Sequence, residues 1–195
     1  MNDETLRFDA DDLRQAVDTL RSGGIILYPT DTIWGIGCDA TNSQAVARIF
    51  ALKQREESKS MITLFDCVAR TSQYIDSISD VALDMMELSD KPLTLILDGA
   101  KNLAANLIAT DGTIGIRVTN ELFSHALCER FRKPIVSTSA NLSGQPSPSH
   151  YGEIAPEIRA GVDYIVKFRQ NDLTPHKASS IIRLGRNGLV EIIRQ

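Results

Sequence analysis

Short apolar runs alternate with amphipathic helical patterns along almost the whole chain. The run LTLIL at residues 93–97 is typical of a buried strand, whereas Leu13, Val17 and Leu20 recur at helical spacing. No internal repeat, low-complexity segment or interdomain linker interrupts this alternation. The sequence therefore predicts a mixed α/β (α+β) fold in which helices flank one sheet. We expect a single domain over residues 1–195.

Capping residues and turn residues mark where the elements begin and end. Asp9 precedes the first helical pattern and Gly23-Gly24 follows it, while Thr41 and Gln44 have the spacing of a capping box before a helix that ends near Lys53. Further helices are predicted within residues 67–90 (one or two), 121–131 and 152–160. Strands are predicted at residues 25–29, 61–65, 93–97, 113–118, 134–136, 163–168, 179–184 and 189–194.

Composition places the chain among ordinary globular proteins. Its 195 residues are 43% hydrophobic and 24% charged, which is enough to build a sizeable core. No run approaches the roughly 18 apolar residues of a membrane span, and the acidic start MNDETLRFDADDLR is unlike a signal peptide. We therefore expect a cytoplasmic protein. The net charge of −4 argues against non-specific coating of nucleic acid, although a local basic site is compatible with it.

Several common catalytic devices are absent from the sequence. The histidines and cysteines lack metal-ligand spacing and no CxxC occurs, so we predict that the protein itself holds no metal. We expect the cysteines to be core or bystander thiols in a reducing compartment. The cysteines are Cys38, Cys67 and Cys128. The sequence also lacks a P-loop, a complete dinucleotide fingerprint and a GxSxG nucleophile motif.

The stretch ILYPTDTIWGIG at residues 26–37 places small polar side chains at the end of a strand. The hydroxyls of Thr30 and Thr32 and the nearby backbone amides offer groups that bind a small polar ligand. The alternative is an Asx-type turn in which Asp31 only satisfies local amides. Both interpretations are open from the residues alone.

The segment KQREESK carries separated cations at a helix end. If the helix ends near Lys53, then Arg55 and Lys59 lie on the following loop and can converge on a polyanion. The alternative is a solvated helix end, where Glu56 and Glu57 neutralise cations that favour the helix dipole.

Two further polar groups follow predicted strands. Residues 137–141, STSAN, come directly after the strand PIV, which is where α/β proteins commonly place ligands; the alternative is a polar loop. Arg117 lies near the end of the strand TIGIRV, and Ser179-Ser180 opens another strand. An arginine there binds a carboxylate through two hydrogen bonds, or else makes a surface ion pair.

These segments together resemble a known family. The stretches GGIILYPTDTIWGIGCDA, KQR with the later Lys59, TIGIRV, STSANLSGQPSP and ASSIIRL occur in this order and spacing. The chain is thus similar to the YrdC/TsaC family of threonylcarbamoyl-AMP synthases from about residue 10 to Arg194. The ordered set is specific, because KxR followed some 80 residues later by SxN is the signature of that family.

The resemblance implies both a fold and a reaction. The fold would be a YrdC-like domain, with a twisted, mixed, open sheet and a concave basic ligand-binding surface. The activity would be a nucleotidyltransferase that condenses L-threonine, bicarbonate and ATP, with Mg²⁺, into threonylcarbamoyl-AMP and pyrophosphate. Partner proteins would then transfer the threonylcarbamoyl group to the adenosine next to the tRNA anticodon.

The resemblance also assigns roles to residues. Lys53 and Arg55 would neutralise charge during catalysis. The reaction would use no covalent nucleophile, and the resemblance assigns no protein ligand to the metal. The residues implied in ATP binding are Arg55, Lys59, Thr113, Ser139, Asn141, Ser147 and Arg194. The residues implied in threonine binding are Thr32, Arg117, Ser137 and Ser179. Trp34 would shape the wall of the pocket.

Two other classes of function remain as alternatives. The first is a non-catalytic paralogue that binds double-stranded RNA or tRNA; the intact KxR and SxN motifs and the acidic composition favour the enzyme over it. The second is a carbamoyl-transfer domain of hydrogenase-maturation proteins. That role normally accompanies acylphosphatase and zinc-finger segments, for which 195 residues with three scattered cysteines leave no room.

Overall fold

The computed structural model of the chain describes residues 7–54, 61–185 and 188–195. The strands in these residues are β1 (Ile26–Tyr28), β2 (Gly35–Gly37), β3 (Ile62–Phe65), β4 (Leu93–Asp98), β5 (Thr113–Val118), β6 (Ile135–Ser139), β7 (Tyr164–Ile165), β8 (Ser180–Leu184) and β9 (Val190–Arg194). They form one nine-stranded sheet in the order β7-β1-β2-β6-β3-β5-β4-β8-β9. Three neighbouring pairs, β1–β7, β3–β5 and β4–β8, are parallel and the others are antiparallel. The prediction of a mixed α/β fold is confirmed.

Helices cover both faces of the sheet. They are α1 (Ala10–Arg21), α2 (Ser43–Lys53), α3 (Val68–Thr71), α4 (Asp80–Leu88), α5 (Leu122–Phe131) and α6 (Pro156–Ala160), with a 3₁₀ turn at Tyr151–Glu153. Successive residues of β1 enter two different apolar clusters, because side chains alternate between the faces of a strand. None of the helices in the described ranges is long and apolar enough to cross a membrane.

The face that carries α1 and α5 also carries the polar cleft described below. Leu64 of β3 packs in the cluster that joins these two helices, together with Leu13 and Phe123. Arg117 of β5 pairs in register with Leu64, so its side chain projects from the same face. The helices thus cover one part of this face, and the cleft occupies another.

The capping box predicted at the start of α2 is wrong. Asn42 is the N-cap, and its side-chain oxygen accepts hydrogen bonds from the backbone N–H groups of Gln44 (3.0 Å) and Ala45 (3.2 Å). Thr41 instead donates its hydroxyl to Asp39. Because this carboxylate fixes Thr41 outside the helix, α2 begins after Asn42. By contrast, Asp9 caps α1 as predicted, accepting from the N–H of Asp11 at 2.8 Å.

The strand predictions also need correction at three places. β2 was not predicted, because a three-residue strand with two glycines carries no propensity signal. Gly37 is required there, since a Cβ would lie 2.7 Å from the ring of Tyr28 and 2.8 Å from the carbonyl oxygen of Val136. β6 extends to Ser139, so the first hydroxyls of STSAN lie in the strand and not in the loop after it. The predicted strand at 163–168 is reduced to β7.

Candidate functional site

A cleft of about 240 Å³ lies where the turn between β1 and β2 meets strands β3, β5, β6, β8 and β9. Every residue predicted to bind threonine lines it, together with several that were predicted to bind the nucleotide. The predicted residues that line the cleft are Thr32, Arg117, Ser137, Ser139, Ser147, Ser179 and Arg194. Trp34 also lines it, and its ring packs 5.1 Å from that of Tyr151.

The hydroxyl of Thr30 closes the turn between β1 and β2. It donates to the carbonyl oxygen of Ile33 (2.7 Å), accepts from the N–H of Thr32 (3.1 Å) and lies 3.0 Å from the hydroxyl of Thr32. The N–H of Thr32 is therefore satisfied by Thr30 and not by Asp31. This network fixes the side chain of Thr32 at the cleft wall.

Arg117 is the principal cation of the cleft wall. Arg117 is only 3% exposed, so the alternative of a surface ion pair is wrong. Nη1 donates to the hydroxyl of Thr32 at 3.2 Å, and Nη2 lies 3.4 Å from a carboxylate oxygen of Asp31. Nε is buried and has no hydrogen-bond partner among the described residues. A buried donor on a cation is costly when unpaired, so this guanidinium suits an anionic ligand.

Ser179 holds a second arginine at the cleft. Its buried hydroxyl lies 2.9 Å from the hydroxyl of Thr94, and its carbonyl oxygen accepts from Nε of Arg194 at 2.8 Å. Nη2 of Arg194 also lies 3.4 Å from the Ser179 hydroxyl. Burial and, to a smaller extent, the charge of Arg117 lower the pKa of Arg194 from its usual value. Two arginines therefore face one small cleft, which gives it a positive field.

Lys53 holds the SxN segment from behind. The residue is 1% exposed, and Nζ donates to the carbonyl oxygens of Ser139 and Asn141 and to the side-chain oxygen of Asn141. In return, the carbonyl oxygen of Lys53 accepts from the N–H of Ser143 at 2.8 Å. These contacts favour a positioning role for Lys53 over direct contact with a phosphate. Arg55 and Lys59 lie outside the described residues.

Thr113 is not brought into the cleft. It begins β5 on the same face as Arg117, but roughly 13 Å away at about 3.3 Å per residue. Its hydroxyl donates to Asp111 at 2.7 Å, and Arg183 of β8 donates to the other oxygen of the same carboxylate. Its predicted contact with the nucleotide therefore requires a ligand that extends well along the sheet.

Arg169 is a supporting residue that the sequence analysis did not single out. Its guanidinium donates to the carbonyl oxygen of Thr30 at 3.1 Å and lies 3.6 Å from the carboxylate of Glu121. It also bonds with Asp172 and His176 in its own segment. Arg169 thus ties the β1–β2 turn to the chain after β7, and no local pattern in the sequence marks this contact.

The described residues contain no group of three or more His, Cys, Asp or Glu side chains that could hold a metal ion. The cleft instead offers hydroxyl and guanidinium groups. These groups bind carboxylates and phosphates, whereas Mg²⁺ prefers carboxylate and water oxygens. A resident Mg²⁺ therefore does not fit the described part of the site.

The fold and the cleft define an open-sheet α/β protein with a small cleft lined by hydroxyl and guanidinium groups. The family model named for Sua5, YciO and YrdC, described as "Telomere recombination", matches residues 18–195. The chain belongs to this family.

Two curated relatives carry the same name. The threonylcarbamoyl-AMP synthase of Pseudoalteromonas translucida is 35% identical over 185 residues, which are 93% of this chain and 97% of that protein. The protein of the same name from Photobacterium profundum is 37% identical over 151 residues, which are 76% and 82% of the two chains. The chain thus spans most of the length of both relatives.

Solved structures share the fold. E. coli YciO superposes with a TM-score of 0.81 at 28% identity, over 94% of this chain and 88% of that one. P. abyssi Sua5 complexed with L-threonine superposes with a TM-score of 0.81 at 24% identity, over 91% of this chain. The chain spans about half of that structure, 52% of its length. At this identity the likeness to Sua5 concerns the fold.

Proposed function

We propose that the protein is a threonylcarbamoyl-AMP synthase that uses L-threonine, bicarbonate and ATP. The observation that carries the proposal is the buried guanidinium of Arg117, whose Nε lacks an acceptor among the described residues, within a cleft lined by hydroxyls. A free amino acid brings a carboxylate for such a cation, and threonine brings a hydroxyl for the serines and threonine around it. The names of the curated relatives support this proposal over the alternative of an RNA-binding paralogue.

In this proposal the cleft orients threonine through its carboxylate. Arg117 binds the carboxylate, while the hydroxyls of Thr32, Ser137 and Ser179 bind the remaining polar groups. The cleft of about 240 Å³ suits a small amino acid and part of a nucleotide. In a cleft of this size, amino acids with side chains larger than that of threonine would be excluded, which would give selectivity for threonine over them.

The reaction needs no protein nucleophile. The neutral amine of threonine attacks the carbon of bicarbonate or CO₂, forming a C–N bond and a carbamate; with bicarbonate, water leaves, and with CO₂, the nitrogen loses a proton to solvent. A carbamate oxygen then attacks the α-phosphorus of ATP, the bond from this phosphorus to the bridging oxygen breaks, and pyrophosphate leaves with the electron pair. The protein's contribution is to position the reactants and stabilise the negative charge that develops, as in other phosphoryl displacements.

The nucleotide would bind on the side of the cleft formed by the end of β6 and by β9. Ser139, Ser147 and Arg194 line the cleft there, and Lys53 holds Ser139 and Asn141 in place. The proposal keeps Arg55 and Lys59 as partners of the triphosphate and Thr113 as a more distant contact. Mg²⁺ enters as part of the MgATP substrate, and no step is assigned to a protein-bound metal. The carbamate receives AMP, which makes the enzyme a nucleotidyltransferase.

The product would be passed to proteins that modify the adenosine next to the tRNA anticodon. That step, direct contact with tRNA or double-stranded RNA, the cytoplasmic location and the single domain over residues 1–195 all stay predictions of the sequence analysis.

The proposal is tested with the purified chain, MgATP, bicarbonate and L-threonine. We expect pyrophosphate release that depends on threonine and on bicarbonate, and incorporation of labelled bicarbonate into a product that contains AMP. Omitting threonine is the first control, and supplying D-threonine is the second, because it inverts the geometry at the α-carbon. Pyrophosphate release that ignores threonine, or no release at all, would contradict the proposal. RNA binding without turnover would favour the paralogue.

A further inference from the structure

A second cavity of about 190 Å³ lies on the other side of the turn between β1 and β2. The charged and polar side chains that line it include Asp31, Asp90, Lys91, Asn120 and Glu121. Arg117 lines the main cleft, whereas Asp31 lines this second cavity. The ion pair between the two residues therefore forms part of the partition between the cleft and the cavity behind it.

The contact across this partition is loose. The Oδ1 atom of Asp31 lies 3.4 Å from Nη2 of Arg117, which is longer than a good charged hydrogen bond of about 2.8 Å. Neither this oxygen nor Nε of Arg117 has a hydrogen-bond partner in the described part of the chain. The guanidinium is thus held by two contacts from one turn, Thr32 at Nη1 and Asp31 at Nη2. The other N–H groups of the guanidinium are left for a ligand.

We propose that Asp31 is a positioning residue, which anchors the guanidinium of Arg117 from behind so that the guanidinium meets the carboxylate of bound threonine. The proposal rests on the proposed function. It assigns a role to the one polar side chain of the PTDT turn that does not line the cleft. Asp31 itself does not touch the substrate.

An opposite effect of Asp31 also has to be considered, because its negative charge repels the substrate carboxylate. Two features favour anchoring. Arg194 adds a second positive charge to the cleft, so the site attracts an anion even with Asp31 ionised. Without Asp31, Thr32 alone would restrain a long and flexible side chain, and immobilising that side chain would then lower the affinity for the ligand.

The contact between Asp31 and Arg117 depends on pH, because it requires the ionised form of the Asp31 carboxyl. The groups that face Asp31 are Arg117 on β5, Glu121 at the N-cap of α5, and Asp90 and Lys91 before β4. Burial raises the pKa of Asp31 above its usual value; the charge of Arg117 opposes this shift and that of Glu121 adds to it. The ionised form makes the ion pair. As the pH falls through this raised pKa, Asp31 becomes neutral, the anchor weakens and threonine should bind less tightly.

The experiment measures the dissociation constant of L-threonine by calorimetry for the wild-type chain, Asp31→Asn and Asp90→Asn. Asparagine keeps the shape of Asp31 and removes its charge, and Asp90→Asn makes the same change elsewhere on the same cavity wall. At neutral pH we expect Asp31→Asn to weaken threonine binding about tenfold, the effect of losing one charged contact, whereas Asp90→Asn should bind like the wild type. The KM for ATP should be unchanged in both variants.

The same measurement is repeated at successively lower pH. The wild-type constant should rise towards that of Asp31→Asn, so the ratio between them falls towards one. Protonation of the threonine carboxylate at the lowest pH is common to both proteins and cancels in this ratio. A purely structural role for Asp31 would lower the melting temperature without producing this convergence.

Each outcome decides the matter. If the wild-type chain binds threonine and Asp31→Asn binds it equally well or more tightly, this inference is overturned while the proposed function stands. If the wild-type chain binds no threonine, both are overturned. If Asp31→Asn does not fold, the wild-type pH series decides. A threonine dissociation constant that does not change over the pH range in which the wild-type protein remains folded would overturn the proposed role of Asp31.

Discussion

The two halves of the cleft are built differently. The threonine half consists of Thr32, Arg117, Ser137 and Ser179, and all four residues are buried. The nucleotide half consists of Ser139, Ser147 and Arg194, all of them half-buried or exposed. Side chains of the first half already contact one another through Arg117 and Thr32. Those of the second half lie at the ends of strands and in the loop after β6.

This difference separates a preformed subsite from a more open one. A buried and hydrogen-bonded pocket requires little reorganisation when a small ligand enters, so its affinity and selectivity depend on a few fixed contacts. An open half relies on cations and loops to enclose a larger ligand. We therefore expect substitutions in the two halves to affect the two substrates separately, and the effects should be largest where the ligand contact is buried.

Arg117→Ala should produce the largest effect. Losing a two-point charged contact to the carboxylate should raise the KM for threonine about 100-fold or more, because each charged hydrogen bond contributes about 1.5–3 kcal/mol. The KM for ATP should change little. Pyrophosphate release at varied concentrations of each substrate measures both constants.

Arg48→Ala is the matched control, because Arg48 also pairs with an aspartate, Asp163, but lies outside the cleft and is largely exposed. This variant should keep both constants close to those of the wild type. An unchanged threonine KM in Arg117→Ala would remove the basis for the threonine half.

Lys53→Met should affect the nucleotide half next. Methionine keeps the length of the side chain but removes the ammonium that bonds to Ser139 and Asn141, which leaves buried oxygens without this donor. We expect the free energy of unfolding to fall by about 2–3 kcal/mol and the KM for ATP to rise about tenfold, with a smaller effect on threonine. Chemical denaturation and steady-state kinetics measure these changes.

Lys133→Met provides the comparison at a half-exposed salt bridge. Lys133 is half-exposed and bonds to Asp39 at 2.7 Å. The Asp39 carboxylate is buried but keeps hydrogen bonds from the N–H and the hydroxyl of Thr41, so we expect a loss of only about 1 kcal/mol. If Lys53→Met kept its ATP KM and destabilised the protein no more than Lys133→Met, Lys53 would not position the SxN segment.

The fold was predictable where local signals agreed with the final packing. α1 has its cap at Asp9 and its buried face at Leu13, Val17 and Leu20, all of which the spacing indicated. β2 was not predictable, because its two glycines have no local preference for a strand. It forms because pairing with β1 on one side and β6 on the other supplies its hydrogen bonds.

The site was predictable in its residue types but not in its contacts. The ordered motifs indicated Thr32 and Arg117, which are 85 positions apart and meet through the register of distant strands. The same motifs did not distinguish a lysine that contacts phosphate from one that holds a loop, since Lys53 has the same chemistry in both roles. The contact of Arg169 with Thr30 was also hidden, because it depends on how the segment after β7 folds back over the turn.

Ser179→Ala should give the smallest effect and tests whether the two halves are independent. The Ser179 hydroxyl lies in the threonine half, but Nη2 of Arg194 from the nucleotide half lies 3.4 Å from it. Removing one neutral hydroxyl should raise the threonine KM about fivefold. The KM for ATP should rise about twofold, because Arg194 keeps its bond to the Ser179 carbonyl oxygen and loses only the weaker contact.

Ser137→Ala is the matched variant, since Ser137 is a buried serine of the same cleft on β6, and the described contacts of Arg194 do not include it. It should raise the threonine KM by a similar factor and leave the KM for ATP unchanged. If both variants leave the ATP constant unchanged, the halves are independent and the Ser179–Arg194 contact only supports the wall. A rise in the ATP constant for Ser179→Ala alone would identify Ser179 as the point at which binding of one substrate is coupled to binding of the other, since such coupling is reciprocal.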